Sequence, residues 1–324
     1  MTAAPRAVLP AVKPTTLLAA ALALSLPAFA GELKVTETEG EITLTNGASP
    51  ILVYHKSEVP PPPEADPVFT RSGFIHPVYT PKGGIVTGIH PDDHYHHLGL
   101  WHAWVHGEHE GQPVDFWNLK AKTGRIRFAK TLDAKNADDS AGFTVEQEAL
   151  RYRDGKGGDP LVVLREQLHV TARLVDGAYE VDYDITQTNV TGQPLVLDAY
   201  RYGGGIAYRA PLDWDKDNSD YLTSEGKTRK DSHTTRARWI AMTGPTEKGA
   251  ATVTVLCHPK NHDAPQRLRT WDNGKVFLNY VPIQETAWEI KPAETITQRY
   301  RLIIADTKPD SAALNKRWER YAQQ

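Results

Sequence analysis

Seven of the thirteen histidines of this 324-residue chain fall between His90 and His109, in the run HPDDHYHHLGLWHAWVHGEH. Imidazole both titrates near neutral pH and ligates transition metals, so proton transfer or metal binding is to be sought here first. His94 and His97 are the candidate acid and base, with Asp115 or Glu225 as the carboxylate that orients them. A histidine with an ordinary pKa near 6.5 needs little tuning for that work at neutral pH. His94, His96 and His97 are also the candidate metal ligands. In extended chain His94 and His96 face one way and His97 the other, and histidines four apart lie roughly 13 Å from each other, too far for one ion. A mononuclear site for zinc or another divalent transition metal therefore needs one of these residues joined by ligands from elsewhere, and His76, His258, Asp115 and Glu225 are available.

The same residues suit a sugar. A sugar ring has an apolar C–H face and a rim of hydroxyls, so it asks for aromatic platforms and polar fingers. Trp101, Trp104 and Trp117 can supply the first, and Asp92, Asp93, His94, His97 and Asp115 the second. Arg201 and Arg209 flank the run Gly203-Gly204-Gly205, where a ligand carboxylate or hydroxyl could approach the backbone closely. His76 and His258 complete the candidate substrate-binding set. The glycine run lacks the Lys-Ser/Thr ending of a phosphate loop, and no G-x-S-x-G nucleophile elbow occurs. The single cysteine, Cys257, lies in an apolar strand and reads as a packing thiol.

The elements that must position these groups are strands. Lys34 to Leu44 alternates into an Asn46-Gly47 turn, and Ile51 to Tyr54 follows. The clearest hairpin sets Leu168, Val170, Ala172 and Leu174 against Tyr179, Val181, Tyr183 and Ile185 across Asp176-Gly177, with one face in the core and the other wet. Thr252 to Cys257, Val276 to Val281, Trp288 to Ile290 and Thr297 to Ile304 are further strands. Ala134 to Ala141 and Asp213 to His233 read as long surface loops, the second a candidate lid. Only Ser311 to Gln323 reads as a helix, started by Pro309-Asp310. Many antiparallel strands without alternating helices predict an all-β protein, a large antiparallel β-sandwich with a short C-terminal helix.

A net charge of -3 excludes the basic surface of a nucleic-acid binder. Residues 1–30 read as a secretory signal: Arg6 and Lys13 precede the apolar run Thr16 to Ala30, and Ala28-Phe29-Ala30 offers small residues for cleavage before Gly31. No later stretch has the roughly 18 consecutive apolar residues of a membrane helix. The expectation is a periplasmic or secreted protein with residues 31–324 forming a single domain and no membrane span in the mature chain.

His76-Pro77-Val78-Tyr79-Thr80-Pro81, Asp93-His94-Tyr95-His96-His97-Leu98-Gly99-Leu100-Trp101 and Asp115-Phe116-Trp117 together resemble the bacterial family labelled PmoA-like, or methane oxygenase PmoA. Tyr202 to Arg209, Ser224 to Gly226, Arg238-Trp239 and His258-Pro259-Lys260-Asn261 resemble it as well, with Leu98 standing where Arg is expected in many relatives. The stretch Thr270 to Ile304 is similar to the last strands of galactose-mutarotase-like proteins. That resemblance implies a β-supersandwich whose concave face binds sugars, in a superfamily of epimerases, lyases and hydrolases. Three functions follow as expectations: a carbohydrate enzyme acting on a sugar or glycoside by His/carboxylate acid-base chemistry, a non-catalytic carbohydrate-binding module, and the metal-dependent oxidoreductase or lyase that the PmoA-like label implies.

Overall fold

A computed structural model describes residues 1–4 and 31–324, and the expected export signal otherwise lies outside the described residues. Among the described residues twenty strands form three antiparallel sheets, followed by one α-helix. The first sheet has eight strands in the spatial order Leu33–Glu37, Glu41–Asn46, Ser49–His55, Phe74–Val78, Leu100–Trp101, Ala207–Arg209, Phe277–Val281 and Arg267–Thr270. The second, also of eight, runs Asp220–Thr223, Trp239–Thr246, Gly249–Cys257, Thr295–Ala305, Ala178–Asn189, Pro160–Val175, Ser140–Tyr152 and Gly124–Ala137. A four-stranded sheet of Trp288–Ile290, Leu195–Leu197, Gly107–His109 and Gln112–Val114 lies beside them. The all-β sandwich expected from the sequence is therefore the observed architecture.

Alternation explains how the sheets meet. Ile42, Leu44 and Tyr54 of the first sheet share one core with Val145, Leu168, Val170, Val181 and Tyr183 of the second. The hairpin across Asp176 and Gly177 has the anticipated register, Leu168 opposite Ile185 and Leu174 opposite Tyr179. Both turn residues have positive φ, 50° and 75°, as the turn demands. Its other face is less wet than expected. The helix Ser311–Tyr321, capped by the Asp310 carboxylate at the amides of Ala312 and Ala313, lies over it. Arg317 of that helix pairs with the buried Glu180, and Leu314 and Tyr321 pack on Trp239, Leu256 and Ile303.

Two expectations about loops and one about a strand differ from the structure. Ala134 to Ala141 is the tip of a long hairpin, with Asn136 paired to Ala141. The first predicted strand is two, Leu33–Glu37 and Glu41–Asn46, joined by a turn in which Thr38 N–H donates to the Glu41 carbonyl. Asp213 to His233 is anchored: Trp214 is buried with its indole N–H on the Pro245 carbonyl, and Asp220–Thr223 pairs with the neighbouring strand.

Strands in the middle of the first sheet bury both faces, and this builds the site. Leu100, Tyr208 and Leu278 face the sandwich core, whereas Trp101, Ala207 and Phe277 join a second, aromatic cluster on the opposite face. Register places Trp101 beside Ala207, Ala207 beside Asn279, and Asn279 beside Arg269, with Arg209 beside Phe277 two residues along. Period two thus aims Trp101, Arg209, Arg269 and Phe277 to one side.

Candidate functional site

The histidine segment is not extended. His90 N–H donates to the His97 carbonyl, Ile89 bridges Leu98, and two tight turns fill the interval, closed by His94 N–H on Pro91 and His97 N–H on His94. Gly99, at φ 66°, must lack a side chain because a Cβ there would collide with the Ile75 carbonyl. The turns bring His94, His96 and His97 together, with ring centroids 4.8 to 5.6 Å apart. His94 and His97 stack nearly face to face, 25° between planes, so their nitrogens do not converge on a common point. Among the described residues no three His, Cys, Asp or Glu side chains are placed to hold a metal ion.

His97 is buried flat between His94 and Phe277, with Trp101 and Trp271 at its edges. Burial first, and then the charges of its neighbours, push it well below the ordinary histidine pKa. His96 is pushed down to about 3 by burial, then by His94 and Arg71. His94 is half-buried, and burial lowers it too, opposed by Asp93 and assisted by Arg209 and Arg269. Its Nδ1 lies 3.3 Å from an Asp93 carboxylate oxygen, a charge contact without hydrogen-bond alignment. All three imidazoles are therefore neutral at pH 7.

These rings line one side of a pocket of about 170 Å³. Trp117, Tyr202, Trp271 and Phe277 supply aromatic walls, and Asn118, Arg201 and Arg269 polar ones. Through His94, Arg269 and Trp271 it is continuous with an outer cleft of about 550 Å³, bordered by Asp93, Lys230, His233 and the segment 270–275. Lys275 reaches Asp92 at 2.6 Å, tying the histidine turn to that segment. Beneath lies Arg209, fully buried, 5.0 Å from the Trp271 ring. Burial pushes its guanidinium down to about 10.

The chain belongs to a family of unknown function, DUF6807, whose profile matches residues 41–319. No curated protein matches it. Among solved structures the chain is similar to a galactose mutarotase-like protein from Clostridium acetobutylicum, at TM-score 0.45 and 10% identity over 86% of this chain and 99% of that one. It is also similar to a galactose mutarotase related enzyme from Lactobacillus acidophilus, at TM-score 0.40 and 8% identity over 86% and 99%. A heparan sulfate lyase HepC mutant from Pedobacter heparinus gives TM-score 0.42 and 9% identity, with this chain spanning 37% of that one. None of these likenesses bears on the PmoA-like resemblance.

The remaining anticipated residues divide by position. Asp115 does not line the pocket; it builds its wall. One oxygen accepts from the amides of Trp117 and Asn118, and the other from the Asn118 side chain at 2.6 Å, while Asn118 in turn accepts from the Tyr202 hydroxyl at 3.0 Å. Trp101 is the floor beneath His97 and Trp117. Trp104 is buried with its indole N–H on Gln187, inside a network that joins His102, Gln147 and Gln187 to the buried Glu166. His76 bonds Thr87 through Nδ1, and burial pushes it down to about 4. Glu225 sits by the C-terminal helix, 3.6 Å from Arg238, whose guanidinium covers Trp318. His258 packs on Tyr321 and lines a separate pocket with Asp184 and Arg299. The glycine run serves packing rather than ligand approach: side chains at Gly203 and Gly204 would collide with Val105 and Trp104. Cys257 is buried, its thiol pushed up to about 11.

Sequence reasoning passed over Asn118, Tyr202, Arg269, Trp271 and Phe277 as site residues. The signal for two of them was present: Leu268 and Thr270 are buried in Arg267–Thr270, so period two sends Arg269 and Trp271 to the opposite face.

Proposed function

We propose that the protein is an exported carbohydrate-active enzyme, residues 1–30 being its signal and 31–324 one domain, that binds a sugar in this cleft and transfers a proton with His94. The observation that carries this reading is a neutral, half-buried imidazole, 3.3 Å from the Asp93 carboxylate, opening onto a pocket walled by Trp117, Tyr202 and Trp271. With Nδ1 turned to Asp93, Nε2 is the nitrogen left for a ligand. A neutral imidazole takes a proton at neutral pH, and the imidazolium that forms is stabilised by the adjacent carboxylate. The aromatic faces suit the C–H side of a sugar, and the Asn118 amide suits its hydroxyls.

Hydrolysis of a glycoside ordinarily uses two carboxyl groups flanking the bond, roughly 5 to 9.5 Å apart. Among the described residues the inner pocket is lined by none, because both oxygens of Asp115 are spent on the wall. This favours epimerisation or elimination over hydrolysis.

The test is solvent deuterium incorporation. The mature protein is incubated in D2O with a panel of neutral and acidic mono- and oligosaccharides and followed by proton NMR, with and without a chelator. Incorporation or product formation that His94→Ala abolishes and Glu225→Gln preserves is expected. Binding that Trp271→Ala removes, with no exchange or product on any sugar, would establish a binding module instead. Activity abolished by the chelator would favour the metal-dependent reading.

A further inference from the structure

Most arginines elsewhere among the described residues lie within reach of a carboxylate. Arg127 pairs with Glu148, Arg153 with Asp159, Arg236 with Asp263 and Arg267 with Glu285. The cleft breaks that pattern. Arg201 and Arg269 line the same inner pocket, and among the described residues neither lies within ion-pair reach of an acidic side chain. Arg269 is bonded only to the ring nitrogen of His233, at 3.1 Å, a neutral acceptor that cancels no charge. Arg201 lies against Tyr200 and Tyr202, at 5.4 and 5.6 Å, which fixes its direction but leaves its N–H groups free. Burial and the field of Arg201 both push Arg269 below the ordinary arginine pKa.

The layer below adds a third cation. Arg209 is fully buried, and none of its three nitrogens has a hydrogen-bond partner. Its nearest acid is Asp93, with one carboxylate oxygen 3.5 Å from the guanidinium and the other facing His94. A buried guanidinium with no hydrogen-bond partner and a single carboxylate at 3.5 Å keeps part of its charge uncompensated and adds to the positive field of the cleft. An oxyanion held by the planar forks of Arg201 and Arg269 would answer the positive charge of the cleft, since a guanidinium binds a carboxylate through two parallel N–H donors.

We propose that the ligand of this cleft is an anionic sugar, its carboxylate or sulfate ester bridging Arg201 and Arg269 while its ring lies on Trp271. This rests on the sugar reading above and names the substrate class for the same site. Arg209 sets the positive field from beneath, and Asp93 stays turned to His94.

The experiment is calorimetric titration of the mature protein with D-glucuronate, D-galacturonate and D-glucose 6-sulfate, against D-glucose, D-galactose and inorganic sulfate. At least one acidic sugar is expected to bind tenfold or more tighter than its neutral parent. That preference should vanish in Arg201→Gln/Arg269→Gln and shrink in 0.5 M salt. Both side chains are partly solvent-exposed, so the double variant should keep the wild-type melting temperature; Arg269→Lys serves as a milder second variant, expected to retain part of the preference. Equal affinity for neutral and acidic sugars overturns this inference and leaves the sugar reading intact, and so does a preference for acidic sugars that survives in the double variant. Inorganic sulfate binding through Arg201 and Arg269 with no sugar bound overturns the sugar reading and, with it, the proposed class of ligand. No binding of any probe overturns both.

Discussion

The proton of His94 is pulled in opposite directions by named neighbours. Burial, Arg209 and Arg269 expel it, and Asp93 retains it. Activity that depends on the neutral imidazole should therefore be flat at neutral pH and fall on an acid limb centred below the ordinary value of about 6.5. Removing the charge in Asp93→Asn takes away the one force that raises this pKa, so the acid limb should move to still lower pH, by about one unit. The rate on the plateau should fall as well, because the imidazolium loses its stabilising partner, whereas His94→Gln should cost about 10²-fold or more. A pH profile of kcat/KM for both variants checks this, and a limb that moves upward in Asp93→Asn would remove Asp93 from the assignment. At this scale the sequence was legible in part. Its histidine density marked a segment that lines the cleft, but which carboxylate faces a histidine was not readable. Asp93 and Asp115 are the same residue type near the same histidines, and only the turn geometry shows that Asp115 caps residues 117 and 118 while Asp93 faces His94.

Short turns hold His94, Trp117 and Asn118, beside the short central strands that carry Arg269 and Phe277. The segment from Asp115 to Asn118 is one example: a single carboxylate orders two backbone amides and one side-chain amide, and through Asn118 the Tyr202 hydroxyl. Asp115→Ala should release Trp117 and Asn118 from the pocket wall, costing about 2 kcal/mol in stability from hydrogen bonds to a charged acceptor. It should weaken sugar binding, seen as a raised KM, more than it lowers kcat, since Asp115 touches no reacting atom. Urea unfolding together with the KM and kcat of the variant checks this, and a selective loss of kcat would place Asp115 in the chemistry instead. Elements were legible where period and turn chemistry agreed, as in the hairpin across Asp176-Gly177. They were obscured where charges cover both faces, as in Gly124–Ala137, an edge strand exposed along most of its length. They were misleading at His94–His97, where alternation suggests extended chain but closure by Ile89 and Leu98 imposes turns.

For the molecule as a whole, the sandwich followed from alternation, but the order of its strands did not. Leu100–Trp101 pairs with Ala207–Arg209 from the far half of the chain, and local pattern does not encode such pairing. The same long-range assembly sets how stability responds to acid. His76, His96 and His97 are neutral in the fold, with His76 pushed down to about 4 and His96 to about 3. In the unfolded chain each takes a proton near pH 6.5. Between about pH 6.5 and 4 the unfolded state thus binds more protons than the native state, so stability rises with pH across this window and is lost as pH falls. The slope is at most about 1.4 kcal/mol per pH unit for each histidine. Asp184 works the other way, because burial and Asp182 raise its carboxyl to about 6 and the native state then holds the extra proton. The histidines outnumber it, since His90, His94, His109, His169, His233, His258 and His262 are lowered by burial as well, and the balance leaves the protein acid-labile. The urea midpoint should drop steeply from pH 7 to pH 5, the drop should be shallower in His76→Asn and His96→Gln, and it should be steeper in Asp184→Asn. A midpoint unchanged over that range would mean that the buried imidazoles do not stay neutral in the folded protein, and the reading of His94 as a ready base would lose its electrostatic ground.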